Sequence, residues 1–457
     1  MPKSTKSSRL RSKPGGQSGP LTLRGRFCTM PLVGFHGGQS RAFRPGLLSS
    51  ARRLVAKNVR RGGVFLGRYG AVKIVSVQPI LCDGGFRPWT FVKILTDEGL
   101  VGYGDCTDWG SAVTVAACIR DLEPLLVGED PANIEAIWWK LYSKTIRAIG
   151  GITHKAISGI DSALWDIKGK RLGAPVYDLL GGRMRDSLRL YWTHCGWGRA
   201  YYSELLQKPQ VRSLEDLARL AEEVREQGFT AIKTNILEFG SRRTLQWRDG
   251  NIDPQTLRTA VQVVGTFRRY GGEDLGIALD VAFSFNMGSA IRLARALEPY
   301  NMMWLETETL DPAALKTIKD STRTPICTGE SLYMTHGYKP FLESHAVDVI
   351  MPDIAWNGIS MGKKIADYAQ TYDVPVAPHN CHSPLTTLIT AHLCMAVRNF
   401  MILELDNDDV PWRDDVLTYP LDIRNGHLYL SDRPGWGADL NEEEIAKHPY
   451  RAVPEAS

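Results

Sequence analysis

The sequence predicts an α/β protein whose larger part is a TIM-type (β/α) barrel. Eight short β-rich apolar runs alternate with amphipathic helical stretches between residues 188 and 406. That stretch suits the roughly 250 residues of a complete barrel, and its ionisable residues recur at one height in successive units. The runs are LRLYWTH (188–194), AIKTNIL (231–237), GIALDV (276–281), MMWLET (302–307), PICTGE (325–330), VDVIMPD (347–353), VPVAPH (374–379) and FMILELD (400–406). Helix-start signals lie between them. Ser213 stands three residues before Asp216, and Asp311 precedes Pro312 at a first helical position.

Composition excludes several other classes. With 457 residues, 43% hydrophobic and 23% charged, the chain is neither disordered throughout nor collagenous nor a coiled coil. It has no run near the roughly 20 apolar residues of a membrane span. The eight cysteines form no CxxC pair, which argues against zinc clusters and disulfide frameworks and for a reducing, cytoplasmic setting. The net charge of +5 is misleading, because residues 1–72 hold 15 Lys plus Arg and no acid, leaving 40 basic against 50 acidic groups in the remainder. An acidic body disfavours nucleic acid as a partner.

Residues 1–72 mix Gly, Ser, Pro and Arg without periodicity and are expected to be mostly disordered. An organellar transit peptide, a basic tail for acidic partners and a start set too far upstream all fit such a segment. The last is preferred, with Met30 or a GUG-coded Val72 as the start, because the first clean strand, VKIVSV (72–77), begins there.

Asp280, Glu306, Glu330, Asp353, His379 and Glu404 end successive barrel runs at spacings of 26, 24, 23, 26 and 25 residues. This places them together at the C-terminal mouth, where barrel enzymes carry their chemistry. A single strand-end acid is as readily a helix cap. Several converging in one mouth repel unless a cation neutralises them. Asp280, Glu306 and Glu330, with no Cys or His among them, form an all-oxygen set that suits one Mg²⁺, or Mn²⁺, rather than zinc. Asp353 and His379 end adjacent runs, so that the carboxylate orients one imidazole nitrogen and raises the basicity of the other, as in a general base. An isolated loop histidine satisfied by backbone is the bland reading, and the neighbouring acid favours catalysis. His382 is a further candidate there. His194, on the first run, faces substrate or packs.

These residues resemble the enolase superfamily, specifically its mandelate racemase/muconate lactonizing enzyme subgroup, over about residues 73–440. AISGIDSALWDIKGKRLGAPVYDLLGG (156–182) is similar to that subgroup's end of the capping domain, and IKTN, ALD, WLE, TGE, MPD, APH and LELD follow in the family's order. The resemblance implies an α+β capping domain (73–187) completed by the C-terminal segment (407–457), closing over a catalytic barrel (188–406). Its substrate-selecting loops would include CDGGFRPW (82–89) and DCTDW (105–109), with Arg87, Trp89 and Trp109 as contacts or as interface packing. It implies Mg²⁺-assisted abstraction of a proton α to a carboxylate, chemistry the superfamily performs with a Lys or His base. Glu404 would sit protonated opposite the metal, and Lys233 would neutralise developing charge. A small-molecule acid as the partner and a homo-oligomer follow from the same resemblance.

Three departures bear on this expectation. Racemases of the subgroup carry Lys-x-Lys on the second strand, whereas this chain has Lys233, Thr234 and Asn235. An amide takes no proton at neutral pH. Lys-x-Asn resembles the acid sugar dehydratases, galactonate dehydratase among them, so the expected reaction is loss of the β-hydroxyl from a sugar acid to give a 2-keto-3-deoxy acid. A single-base epimerase or cycloisomerase is the alternative. The galactonate and mannonate enzymes carry a leaving-group histidine two residues after the first ligand, where this chain has Ala282. The acid must then be His379 itself, His194, Tyr333 or His382. WLETET also places Thr307 and Glu308 where the family has Glu and Pro.

Overall fold

The structure, a computed structural model, describes residues 72–239 and 250–452. Apart from Val72, the basic extension and its expected disorder lie outside the described residues.

The first strand runs from Ile74 to Cys82 (β1), starting later and ending later than VKIVSV. It pairs antiparallel with Trp89–Thr96 (β2), which pairs antiparallel with Val101–Asp105 (β3). The helix Gly151–Leu172 lies against this sheet, and glycine makes the approach possible. A Cβ at Gly104 would stand 1.9 Å from the Gly159 carbonyl oxygen. The same helix carries the AISGIDS motif, in which Ser158 and Asp161 are ties. Ser158 Oγ donates to the Ile354 carbonyl at 3.0 Å, and Asp161 accepts from Ser360 N at 2.9 Å and Ser360 Oγ at 2.6 Å. Asp166 accepts from Tyr103 N on β3 at 2.9 Å and from Trp436 N at 3.1 Å. The C-terminal segment is thereby fastened to the sheet.

Leu188–Trp192 (β4), Ala231–Asn235 (β5), Gly276–Asp280 (β6), Trp304–Glu306 (β7), Ile326–Thr328 (β8) and Val349–Ile350 (β9) form successive parallel pairs. The seventh position is a single residue, Val376, bridged in parallel to Ile350 and Phe400. Leu403–Leu405 (β10) pairs in parallel with β4 and closes the ring. A hairpin of Asp422–Arg424 (β11) and His427–Tyr429 (β12) extends β4 antiparallel. The ladders are shorter than the apolar runs because the chain leaves each ladder before its apolar character ends. Asp280 and Glu306 occupy the last ladder positions, while Glu330 and Asp353 lie beyond theirs.

Large and small side chains alternate inside the ring. Tyr191 and Trp304, edge to face at 5.6 Å, are accommodated by Ala231, Ala278 and Ala377. Ser213 Oγ accepts from Asp216 N at 3.2 Å, and Asp311 caps the helix beginning at Pro312. Among the described residues no helix is long and apolar enough to cross a membrane.

Candidate active site

The mouth of the ring holds the ionisable residues. His379 Nδ1 lies 2.6 Å from Asp353 Oδ2, and its Nε2 faces Glu330 Oε2 at 3.3 Å and Cys381 Sγ at 3.0 Å. Asp353 also receives His382 Nε2 at 2.7 Å and caps the next helix through Trp356 N at 2.8 Å. The capping and orienting roles of a strand-end acid therefore coincide in one side chain. Burial pushes the Asp353 carboxyl up, but His382 and His379 outweigh it and hold it at about 2. Burial likewise opposes the imidazolium of His379, while Cys381, Glu330, Glu404 and the Asp353 bond raise it well above the usual value.

Asp280 and Glu306 are register partners on β6 and β7. Glu306 is fully buried, and burial together with Asp280 raises its carboxyl far above the usual range, with Lys233 opposing and Glu330 and Glu404 adding to the rise. Lys233 Nζ stands 3.0 Å from Glu306 Oε2 and 2.8 Å from Glu404 Oε1. Although burial raises the carboxyl of Glu404, Lys233 and His379 outweigh burial and depress it below the carboxylate range. The Lys233 ammonium therefore favours the charged form of Glu404 in the metal-free chain, against the protonated form that the resemblance implies. Asn235 Nδ2 donates to Asp280 Oδ2 at 3.4 Å.

The three carboxylates fit a hard divalent cation in donor chemistry, and Glu306 Oε2, despite the nearby ammonium, is a buried oxygen without a completed hydrogen bond. Two tighter donor groups, Asp353–His379–His382 and His379–Cys381–Glu404, each lie within 4.8 Å. The first is internally hydrogen-bonded, and the second shares His379 with it. The carboxylates of β6, β7 and the β8 end remain the all-oxygen set.

A second histidine–carboxylate pair stands beside the first. His194 Nδ1 is 2.7 Å from Asp406 Oδ1, Arg87 binds Asp406 Oδ2 at 3.3 Å, and Arg87 Nη2 lies 3.3 Å from His194 Nε2. Trp109 covers the Arg87 guanidinium at 4.5 Å and is 43% exposed. Of the two readings of Trp89, its surroundings support packing. It is buried in the hydrophobic core beside Phe91 and serves packing. Sequence reasoning missed Asp406, Cys381 and Asn380, whose N–H donates to Glu404 Oε2 at 2.8 Å. Asp406 was within sight, as the last residue of the LELD motif.

Fold and site together define a capped barrel enzyme with acid–base chemistry at a carboxylate-rich mouth. Residues 216–444 match the model of the enolase C-terminal domain-like family, and residues 85–181 match that of the mandelate racemase/muconate lactonizing enzyme N-terminal domain. The chain belongs to the mandelate racemase/muconate lactonizing enzyme group of the enolase superfamily. It is 34% identical to a D-xylonate dehydratase of Haloferax volcanii over 85% of this chain and 90% of that protein. It is 33% identical to a D-galactonate dehydratase of Pectobacterium atrosepticum over 80% of this chain and 92% of that protein. A crystal structure of a candidate L-alanine-DL-glutamate epimerase from Burkholderia xenovorans, bound to magnesium and fumarate, aligns with a TM-score of 0.81 at 35% identity, covering 84% of this chain and 98% of that one.

Proposed function

We propose that the chain dehydrates a sugar acid, removing the α-proton and expelling the β-hydroxyl to leave a 2-keto-3-deoxy acid. The observation that carries this reading is the one-sided base. His379 is anchored through Nδ1 at 2.6 Å by Asp353, whereas the second strand carries the amide of Asn235 where the racemases have their second lysine, so one face of the α-carbon is served. The names of the related dehydratases support the same choice.

In this scheme His379 Nε2 takes the α-proton while Asp353 holds Nδ1–H and steadies the imidazolium. Lys233 and Glu404 flank the substrate carboxylate, the ammonium offsetting charge as it develops. Mg²⁺, one per subunit and replaceable by Mn²⁺, would be held by Asp280, Glu306 and Glu330 and would stabilise the enediolate charge as a Lewis acid. The leaving hydroxyl takes its proton from His194, whose carboxylate partner, Asp406, is separate from the Asp353 that His379 and His382 share. His382 is already bonded to Asp353, and Tyr333 packs edge-on against His154 at 5.2 Å. Arg87 and Trp109 face the remainder of the substrate.

The experiment is incubation with Mg²⁺ and a panel of aldonates and aldarates in D₂O, followed by proton NMR. A 2-keto-3-deoxy product that disappears in Glu330→Gln supports the proposal. Deuterium at the α-carbon without loss of water would replace it with the epimerase reading, to which the likeness to the Burkholderia structure gives standing.

A further inference from the structure

We propose that Glu308 is a positioning residue of the divalent-cation site, joining the strand ends that carry its three carboxylates; this rests on the assignment of Asp280, Glu306 and Glu330 as ligands. The departure WLETET puts a carboxylate where the resembling family has proline, and the structure gives that residue three attachments. Glu308 follows Glu306 by two residues. Its backbone N–H donates to the Ala282 carbonyl at 2.9 Å, in the turn that Asp280 itself closes by accepting from Ala282 N at 2.9 Å. Its Oε1 accepts from Gly329 N at 2.7 Å and from Thr328 Oγ1 at 2.8 Å, directly before Glu330. One residue thus links the ends of β6, β7 and β8.

The second carboxylate oxygen points to a ligand. Glu308 is 3% exposed, and its Oε2 is buried with no hydrogen-bond partner. Leaving such an acceptor unsatisfied is costly unless something absent from the protein chain satisfies it. Glu308 adds a fourth carboxylate to Asp280, Glu306 and Glu330, while Lys233 is already shared between Glu306 and Glu404. The excess negative charge and the free oxygen both suit a hydrated divalent ion. Glu308 holds the loops with Oε1 and offers Oε2 to the ion's water shell.

The test is Mn²⁺ binding to the metal-stripped full chain, measured by calorimetry and electron paramagnetic resonance, with no substrate present. Glu308→Gln keeps an acceptor for Gly329 and Thr328 and removes the charge. It should weaken Mn²⁺ binding by about 10- to 100-fold without lowering the metal-free melting midpoint, and Glu308→Asp should recover part of the affinity. Unchanged affinity in Glu308→Gln, with binding lost in Glu330→Gln, would overturn this inference and leave the cation site standing. Unchanged affinity in Glu330→Gln, or no binding by the wild-type chain, would overturn the ligand assignment and this inference with it. If Glu308→Gln lowers the metal-free midpoint as much as it lowers affinity, the residue is structural only and the inference also fails.

Discussion

Lys233→Met tests the electrostatic arrangement of the mouth without any knowledge of the substrate. The ammonium stands 3.0 Å from Glu306 and 2.8 Å from Glu404, with side-chain exposures of 3% for the lysine and 0% for each acid. Methionine keeps the unbranched stem and removes the charge, leaving two buried carboxylates uncompensated. Breaking a buried ion pair by removing one partner costs about 3–5 kcal/mol. Glu404 retains the Asn380 N–H at 2.8 Å, which offsets part of the loss. Urea denaturation in EDTA at neutral pH should show that loss.

The sign of the pH dependence follows from the raised lysine. The Lys233 value in the folded chain lies well above 10.5, with burial opposed by Glu306 and Glu404. Its stabilisation is therefore complete below 10.5 and is lost only as pH rises through the folded value. In acid the variant's deficit should narrow as the uncompensated carboxylates take up protons. Added Mg²⁺ should recover more stability in the variant than in the wild-type chain, since each 1.4 kcal/mol relieved at Glu306 is about a tenfold gain in affinity. Equal urea midpoints in EDTA would refute the reasoning, as would equal stabilisation of the two chains by Mg²⁺.

Three further outcomes are expected. His379→Asn should lower turnover by about 10²- to 10⁴-fold and abolish deuterium exchange at the α-carbon, with its melting curve unchanged. His194→Asn should keep α-exchange near the wild-type rate while water loss falls at least about 100-fold; equal losses in both would return the leaving-group proton to His379. Burial lowers His154 from 6.5 to about 4, and neither ring nitrogen has a hydrogen-bond partner. Because the folded value is depressed, about 3 kcal/mol present above pH 6.5 should be lost as pH falls towards 4. His154→Phe should flatten that part of a stability profile measured by denaturation from pH 7 to 4, and an unchanged slope would count against a neutral buried imidazole.

What the sequence disclosed, and what it hid, follow from how far each interaction reaches along the chain. Height in the barrel was legible because each βα unit has nearly constant length, so a spacing near 25 residues is itself a coordinate along the barrel axis. Strand length was not. Thr307 and Met351 still bond the neighbouring strand after the regular ladder has ended, and nothing in MMWLET or VDVIMPD marks where the ring stops being a sheet. Trp89 shows the opposite difficulty, for an aromatic side chain in a capping loop reads alike whether it meets substrate or core.

The residues hardest to read were those whose partners are scattered. Arg87, His194 and Asp406 lie 107 and 212 residues apart in turn, and no local pattern announces that they meet. Glu308 is the sharper case. Its peptide N–H serves the unit of Asp280, its side chain serves the unit of Glu330, and its position is set by the unit of Glu306. A residue that couples three repeats carries no signature in any one of them, and in the sequence it showed only as a departure from the expected Pro. At a site built from strand ends, such a departure is informative in proportion to its cost. A carboxylate that is 3% exposed, with one oxygen unsatisfied, is unfavourable beside Asp280 and Glu330 unless it takes up a proton or the neighbouring site supplies the compensating charge. The same reasoning separates Glu308 from the surface pairs of the barrel helices, where Lys316 and Asp320 meet in solvent and contribute little.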